Sequence, residues 1–233
     1  MSKIDDLIRK LCPEGVERVE IGSVADCLSG ATPNTTRRDF WEGGTIPWMS
    51  SGEVNKRTIY SVEQKITKLG FASSSTKMIP PHSVVVALAG QGKTRGMVAR
   101  TRIEVSTNQS LCAIVPKTEL DSDYLYHYLS SHYSELRSLS AGDGGRGGLN
   151  LKLIRSFLVP LPPLPVQQEI VSILDKFTQL EAELEAELEA ELEARRSQFT
   201  YFVDRIFDLF GSHSAPTKPI QSVCRITRAS GLE

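Results

Sequence analysis

Leu180-Glu181-Ala182-Glu183 is followed by Leu184-Glu185-Ala186-Glu187 and Leu188-Glu189-Ala190-Glu191, and Leu192-Glu193-Ala194-Arg195 closes the run. Leu, Ala and Glu are among the strongest helix formers, and no Gly or Pro interrupts residues 166–210, which predicts one long helix. At about 1.5 Å per residue it makes a rod of roughly 65 Å. Four residues advance a helix by about 400°, so the leucine seam drifts roughly 40° per repeat. Upstream, Ile170, Ile173, Leu174, Phe177 and Leu180 lie at i, i+3, i+4 and i+7 spacing. Downstream, Phe199, Phe202, Val203, Ile206, Phe207 and Phe210 make a second apolar patch. A rod with glutamates on its flanks and phenylalanines at its foot cannot bury that foot alone, and a partner helix is expected. The candidate dimer-interface residues are Leu180, Leu184, Leu188, Leu192, Phe199, Phe202 and Ile206.

Outside the rod the charge balance changes sign. The 233 residues carry 27 Lys plus Arg against 28 Asp plus Glu, a formal net charge of −1. Seven of those acids are the glutamates at 181, 183, 185, 187, 189, 191 and 193, so the remainder holds 21 acids against 27 bases. A mildly basic body joined to an acidic rod hides behind the near-neutral average. Such a body suits a polyanion, because Lys and Arg displace counterions from phosphates; a solvated surface accounts for the excess equally well. With 40% hydrophobic and 24% charged residues, the composition is that of a globular protein. The longest apolar run, Val84 to Ala89, is far short of the ~20 residues a membrane helix needs. Met1-Ser2-Lys3-Ile4-Asp5-Asp6 has no apolar stretch of the secretory kind. Cys12, Cys27, Cys112 and Cys224 are scattered with no Cys-x-x-Cys pair, which fits reduced thiols in a cytoplasm. Membrane, secreted and zinc-ribbon classes are disfavoured.

Ahead of the rod, Ser2 to Leu11 reads as a short helix stopped by Cys12-Pro13-Glu14-Gly15. Val16, Val19, Ile21 and Val24 open a β-rich region, with strands expected over Ile46 to Met49, Val84 to Leu88, Met97 to Val105 and Ser110 to Val115. Polar, glycine-bearing loops lie between them: residues 29–38, 42–44 and 90–96. Asp121 to Leu139 reads as a helix capped by Asp121 or Ser122, with Tyr124, Leu125, Tyr128, Leu129 and Leu136 on one face. Residues 142–148 are too rich in glycine for regular structure. Leu161-Pro162-Pro163-Leu164-Pro165 ends the domain, and the expected fold is an α/β (α+β) domain followed by the long helix. After residue 211, Ile220-Gln221-Ser222-Val223-Cys224 echoes Ile21-Gly22-Ser23-Val24-Ala25, as if a second copy of the first domain were starting. Leu232-Glu233 resembles a cloning remnant.

Catalytic chemistry is sparse. Gly90-Gln91-Gly92-Lys93-Thr94 invites a phosphate-loop reading, but the glycine required five residues before Gly-Lys-Thr is replaced by Ala87. A tight hairpin with exposed basic residues is the plainer reading, and a Lys-Thr-Arg turn is also well placed to meet DNA phosphate. His82, His127, His132 and His213 form no i, i+4 pair, so no metal site is expected and the histidines are read as packed or surface residues. Neither a Gly-x-Ser-x-Gly elbow nor an Asn/Asp-Pro-Pro-aromatic motif for holding a flipped base is present. No cofactor is expected. Asn108-Gln109 suits either bidentate contact with adenine or, more commonly, stapling of one strand to its neighbour. Trp41 and Trp48 read as core rather than as base-stacking platforms. The surface looks like recognition, not catalysis.

One ordered set of motifs carries a resemblance. Ile21-Gly22-Ser23-Val24, Ser29-Gly30-Ala31-Thr32-Pro33, residues Phe40 to Trp48 and Thr107-Asn108-Gln109 occur in succession. Tyr124-Leu125-Tyr126, Leu149-Asn150, Val159 to Leu164 and Gln167-Gln168-Glu169-Ile170-Val171 follow. The series, from Val16 to about Phe210, resembles the specificity subunit of type I restriction–modification systems. The resemblance implies target recognition domains, each followed by a long spacer helix, with the helices packed antiparallel. It also implies double-stranded DNA, modification (methyltransferase) subunits that methylate adenine and restriction subunits (ATP-driven translocase and nuclease) as partners. On that plan residues 1–165 are a target recognition domain, 166–210 the spacer and dimerisation helix, and 211–233 the start of a missing second domain. The chain is then expected to be a half-length or truncated form.

Two copies pairing antiparallel would restore the second half by symmetry and read an interrupted palindrome. The acidic rod fits a spacer that spans DNA without gripping it. The expected DNA contacts are Thr32, Asn34, Arg37, Arg38, Lys93, Thr94, Arg95 and Arg146, with Arg able to read guanine and Lys or Thr holding phosphate. The competing readings are a coiled-coil adaptor with a protein-binding head and a small nucleotide-dependent enzyme built on the Gly-Lys loop.

Overall fold

The computed structural model describes residues 2–90, 94–139 and 148–211. In chain order the elements are α1 (Lys3–Leu11), β1 (Arg18–Glu20), α2 (Ile21–Val24), β2 (Ala25–Ser29), β3 (Ile46–Met49), β4 (Thr58–Ile59), β5 (Gln64–Ile66), α3 (Lys68–Ala72) and β6 (Met78–Ile79). They continue with β7 (Val84–Ala87), β8 (Val98–Thr101), β9 (Val105–Thr107), β10 (Leu111–Pro116), α4 (Ser122–Ser131), α5 (Tyr133–Leu139), α6 (Leu151–Arg155), β11 (Leu158–Pro160) and α7 (Leu164–Gly211). The chain divides into two units that part between Lys176 and Phe177, within α7.

In the first unit, a five-stranded sheet runs β2-β10-β7-β8-β4 and a four-stranded sheet runs β5-β3-β9-β6, while β1 pairs with β11 alone. Side chains alternate across a strand, so β7 divides its residues between two cores. Val84 and Val86 join Ile21, Val24, Cys27, Cys112 and Ile114 beneath Tyr124, Leu125, Leu129 and Leu136 of α4 and α5. Val85 and Ala87 join Ala99, Leu111 and Ala113 against Met49, Ile59, Ile79 and Val105. Burial on both faces is why residues 84–88 read as an unbroken apolar run.

Three expectations are corrected. Residues 97–105 are not one strand: β8 belongs to the five-stranded sheet and β9 to the four-stranded one, and Arg102-Ile103-Glu104 carries the chain across. The single helix expected over 121–139 breaks at His132, whose φ of −98° and ψ of 22° leave the helical region; Asp121 caps it as expected, accepting from the Asp123 and Tyr124 amides. Ile21–Val24, read as part of a β-rich opening, forms one helical turn between β1 and β2. The long helix starts slightly early, at Leu164, with Pro165 in its first turn, where a missing amide costs no hydrogen bond.

In the second unit α7 continues from Phe177 as one helix. Leu180, Leu184, Leu188 and Leu192 are 51–59% exposed and Phe199 is 71% exposed, with Phe202 and Ile206 also uncovered. Gln179 bonds Glu183 at 2.8 Å and Arg195 bonds Glu191 at 3.2 Å along the helix. No described helix is long and apolar enough to cross a membrane.

Candidate functional site

The loop after β2 is shaped by what surrounds Gly30. A Cβ there would lie 1.8 Å from the Thr107 carbonyl oxygen, so only glycine lets the two backbones approach. The Ala31 amide then donates to that carbonyl at 2.9 Å, and the Trp48 indole donates to the Ala31 carbonyl at 3.0 Å. Trp41 donates to the Asn34 carbonyl at 3.2 Å and meets Trp48 edge-on, ring centres 5.0 Å apart. Both tryptophans thus brace the loop; Trp48 is buried, as the core reading expected, whereas Trp41 is only half-buried. Asn34 is a turn former, its side-chain oxygen accepting from the Thr36 amide and hydroxyl at 3.0 and 2.8 Å.

Arg37 and Arg38 are exposed on this loop, and each faces an acid. Arg37 forms an ion pair with Asp39 and its guanidinium lies 4.3 Å from the Phe40 ring centre. The hydrogen bond between them holds the Asp39 carboxyl below its ordinary range and raises Arg37. Arg38 Nε lies 3.8 Å from Glu42. Thr32 turns the other way and donates to the Gln109 side chain at 2.5 Å.

Gln109 leads into a cleft of about 710 Å³ in the first unit, where Arg95, Gln109, Ser110, Asn150, Lys152 and Arg155 supply the polar lining. No carboxylate is among the described residues that line it. The wall is positioned by α6, whose first amides are capped by the Asn150 side chain at 3.0 and 3.1 Å. Arg155, from the last turn of that helix, donates to the Cys27 carbonyl at 2.9 Å. Leu88, Ala89 and Arg95, beyond the end of β7 and ahead of β8, also line it; there the Met97 amide bonds the Thr94 carbonyl and Gly96 takes a φ of +83°. Thr94 and Arg95 are half-buried there.

Of the sequence-predicted contacts, the structure therefore joins Thr32, through Gln109, to the cleft that holds Arg95. Asn34, Arg37 and Arg38 sit together on the tryptophan-braced loop. Lys93 and Arg146 lie outside the described residues. Lys152 and Arg155 were missed because a five-residue helix leaves almost no periodic signal; the cue was Asn150, a capping residue followed by two bases at short range. The Asn108 side chain makes a local turn, accepting from the Ser110 amide two residues on at 3.1 Å, rather than the strand-to-strand staple that was expected, and Gln109 is exposed.

A second polar cluster lies at the start of α7. Arg100 bonds Asp123 and Asp175, both at 3.1 Å, Arg102 bonds Asp123 at 2.8 Å, and His127 bonds Asp175 at 2.8 Å. Burial acts to raise the Asp175 pKa, but the bonds from His127 and Arg100 outweigh it and hold the carboxyl below its ordinary value. Burial likewise opposes the Arg100 charge, and the two carboxylates overcome it and raise that group. Beside the cluster, the fully buried Gln167 accepts from the Asp121 amide at 2.8 Å and donates to the Glu119 and Pro162 carbonyls at 2.9 and 2.7 Å. Tyr124 and Tyr128 donate to the Pro160 and Leu158 carbonyls. These contacts fasten the first turns of α7 to α4 and β11. Among the described residues no group of three or more His, Cys, Asp or Glu is disposed to hold a metal ion.

Against known proteins, a family model for the type I restriction modification DNA specificity domain matches residues 13–194. The EcoR124I/EcoR124II specificity subunit of Escherichia coli is 31% identical over 194 residues, covering 82% of this chain and 48% of that protein. The EcoprrI specificity subunit of the same organism is 31% identical over 219 residues, covering 88% and 53%. The chain thus spans about half the length of the curated relatives it matches. Among solved structures, the HsdS subunit of Thermoanaerobacter tengcongensis superposes with a TM-score of 0.58 at 21% identity, covering 78% of this chain and 44% of that one. A chain from a study of the assembly and conformational transition of the type I R-M system superposes with a TM-score of 0.61 at 24% identity, covering 79% and 44%. These two likenesses establish a shared fold.

Proposed function

The chain belongs to the type I restriction modification DNA specificity family, and we propose from that premise that it is a non-catalytic, sequence-reading subunit of a cytoplasmic restriction–modification complex. Residues 1–165 form one target recognition domain that reads one half-site, and residues 166–210 form the spacer and pairing helix. Modification subunits docked on it methylate adenine, and restriction subunits translocate and cut. Two copies pair through α7, a reading supported by the exposed leucines and phenylalanines of that helix. Identical domains related by a two-fold axis then read an interrupted palindrome.

The observation that carries the DNA reading is the cleft. Lys152 and Arg155 line it together with the exposed amide of Gln109, and no described carboxylate competes there for a phosphate. Cations supply affinity for the backbone, and amides can read base edges. The test is selection from a randomised duplex library by the chain purified with its cognate modification subunit. Enrichment of an interrupted palindrome is expected. Two unlike half-sites would keep the recognition role and remove the symmetric pairing; no enrichment by a folded complex would favour a protein-binding adaptor.

A further inference from the structure

The charge pattern of α7 determines how two copies can meet, given the pairing proposed above. Between Phe177 and Asp204 the only cations are Arg195 and Arg196, against seven glutamates at 181 to 193. Parallel, in-register helices would set every glutamate beside its own copy and each arginine beside its own copy. Like charges across a helix pair are repulsive, so that arrangement has no favourable charged layer. Antiparallel pairing instead brings the arginine end of one helix to the glutamate run of the other.

Register then follows from the exposed apolar residues. With the two-fold axis at Ala186, Phe177 would face the second copy's Arg195, and Lys176 its Arg196. An axis at Ala190 would set Leu184 against the second copy's Arg196 and Glu181 against its Phe199. An axis at Leu188 removes these mismatches, leaving only Leu180 against the second copy's Arg196, and brings Glu181 opposite Arg195. We infer that two copies of this chain pair antiparallel about Leu188, with Leu188 on its own copy, Leu184 on Leu192, Phe177 on Phe199, and Glu181 in ion-pair reach of Arg195. The named apolar residues are all exposed in the single chain. Arg195 already bonds Glu191 of its own helix at 3.2 Å, and it and Glu181 each stand seven residues from Leu188, on the same stripe of the helix, so the two meet across the seam. Glu187 and Glu189 remain near their like on either side of the axis, in water where salt screens them.

Cysteine scanning tests this directly, in a background carrying Cys224→Ser; Cys12, Cys27 and Cys112 are buried. Under mild oxidation Leu188→Cys alone should give a disulfide-linked dimer. Leu184→Cys and Leu192→Cys should fail alone and cross-link when mixed. Cross-linking by all three variants alone would establish parallel helices and overturn the inference. Mixed products of 184 with 188, or of 188 with 192, would place the axis at Ala186 or Ala190 and overturn it as well. Sedimentation of the unmodified chain separates the two levels: a monomer removes the pairing proposal itself, whereas a dimer without the 188 product removes only the register. Charge exchange gives an independent reading on surface positions. Glu181→Arg and Arg195→Glu should each weaken dimerisation about fivefold through two symmetric pairs, and the double variant should recover most of it. No recovery would overturn the Glu181–Arg195 contact.

Discussion

Gln167 is the most exacting test of how the long helix is held. Its amide is fully buried and all three of its hydrogen bonds are to backbone groups: the Asp121 amide at 2.8 Å and the Glu119 and Pro162 carbonyls at 2.9 and 2.7 Å. Gln167→Ala strands the Asp121 amide, removes a donor from two carbonyls and leaves a cavity. A stranded buried donor costs about 1–3 kcal/mol, and lost packing raises the expected total to about 3 kcal/mol. For a chain of this size that lowers Tm by roughly 6–12 °C. Gln167→Met keeps the volume and removes the polar atoms, so it isolates the hydrogen-bond share at about 2 kcal/mol. Gln167→Glu adds a signature in pH. An ionised carboxylate would face two carbonyl oxygens, whereas the protonated acid can donate to one of them, so its folded pKa rises above the unfolded value of about 4.3. The stability it confers is present below that unfolded value and lost as pH rises through the folded one. Urea denaturation of the three variants from pH 4 to 7 should show a flat deficit for methionine and a growing one for glutamate. A methionine deficit below about 0.5 kcal/mol with a pH-independent glutamate variant would refute the claim that this amide is the anchor.

Other perturbations separate the remaining parts. Lys152→Ala and Arg95→Ala should each weaken DNA binding across all sequences and reduce the salt slope by about one; an unchanged slope in an anisotropy titration would take the cleft out of the interface. Asp39→Asn should release Arg37 from its ion pair and tighten DNA binding by up to about fivefold, the small effect expected of a solvent-exposed pair; unchanged affinity would mean that Arg37 does not meet DNA. Removing Leu188 to Glu191 shortens α7 by about 6 Å and should shorten the preferred gap between half-sites by about one or two base pairs; the same library selection measures it, and an unchanged gap counts against a ruler. Asp175 is held below its ordinary pKa of 3.8, so its contribution is present above that value and lost as pH falls through the lowered one. Asp175→Asn should therefore flatten the acid limb of stability between pH 4 and 2, and a limb of unchanged steepness would dismiss that carboxylate.

Much of the fold was readable because local pattern and tertiary burial agree. Residues 46–49 form a strand with the expected bounds, and the Leu-Glu-Ala-Glu run is helical because nothing in it favours another state. Disagreement arose where tertiary context decides. Arg102, Ile103 and Glu104 have nothing in their local sequence to say that the chain leaves one sheet for another. His132 breaks a helix whose apolar spacing runs on through Leu136, because its ring turns back to the Tyr128 carbonyl at 2.8 Å and lies against the Tyr128 ring. The cleft was harder still. Arg95, Gln109, Lys152 and Arg155 come from three distant stretches, and only the fold brings them to one place.

The ordered motifs and the candidate contacts divide along a physical line. Gly30, Trp48, Asn108, Tyr124, Asn150 and Gln167 each spend their chemistry on backbone: a close approach, a held loop, a cap or an anchor. Side chains committed in that way have little left with which to discriminate bases, yet they determine where other side chains stand. The basic residues differ among themselves by the same criterion. Arg37 and Arg38 face Asp39 and Glu42, so a phosphate must displace a carboxylate before it gains the cation. Lys152 and Arg155 stand in a cleft whose described lining holds no acid, and Arg155 is oriented by the neutral carbonyl of Cys27. On the proposed reading, a polyanion approaching this unit would therefore be drawn first to the cleft. The tryptophan-braced loop would engage second and at a penalty, and contacts made at a penalty are the ones in which a wrong sequence is most easily refused.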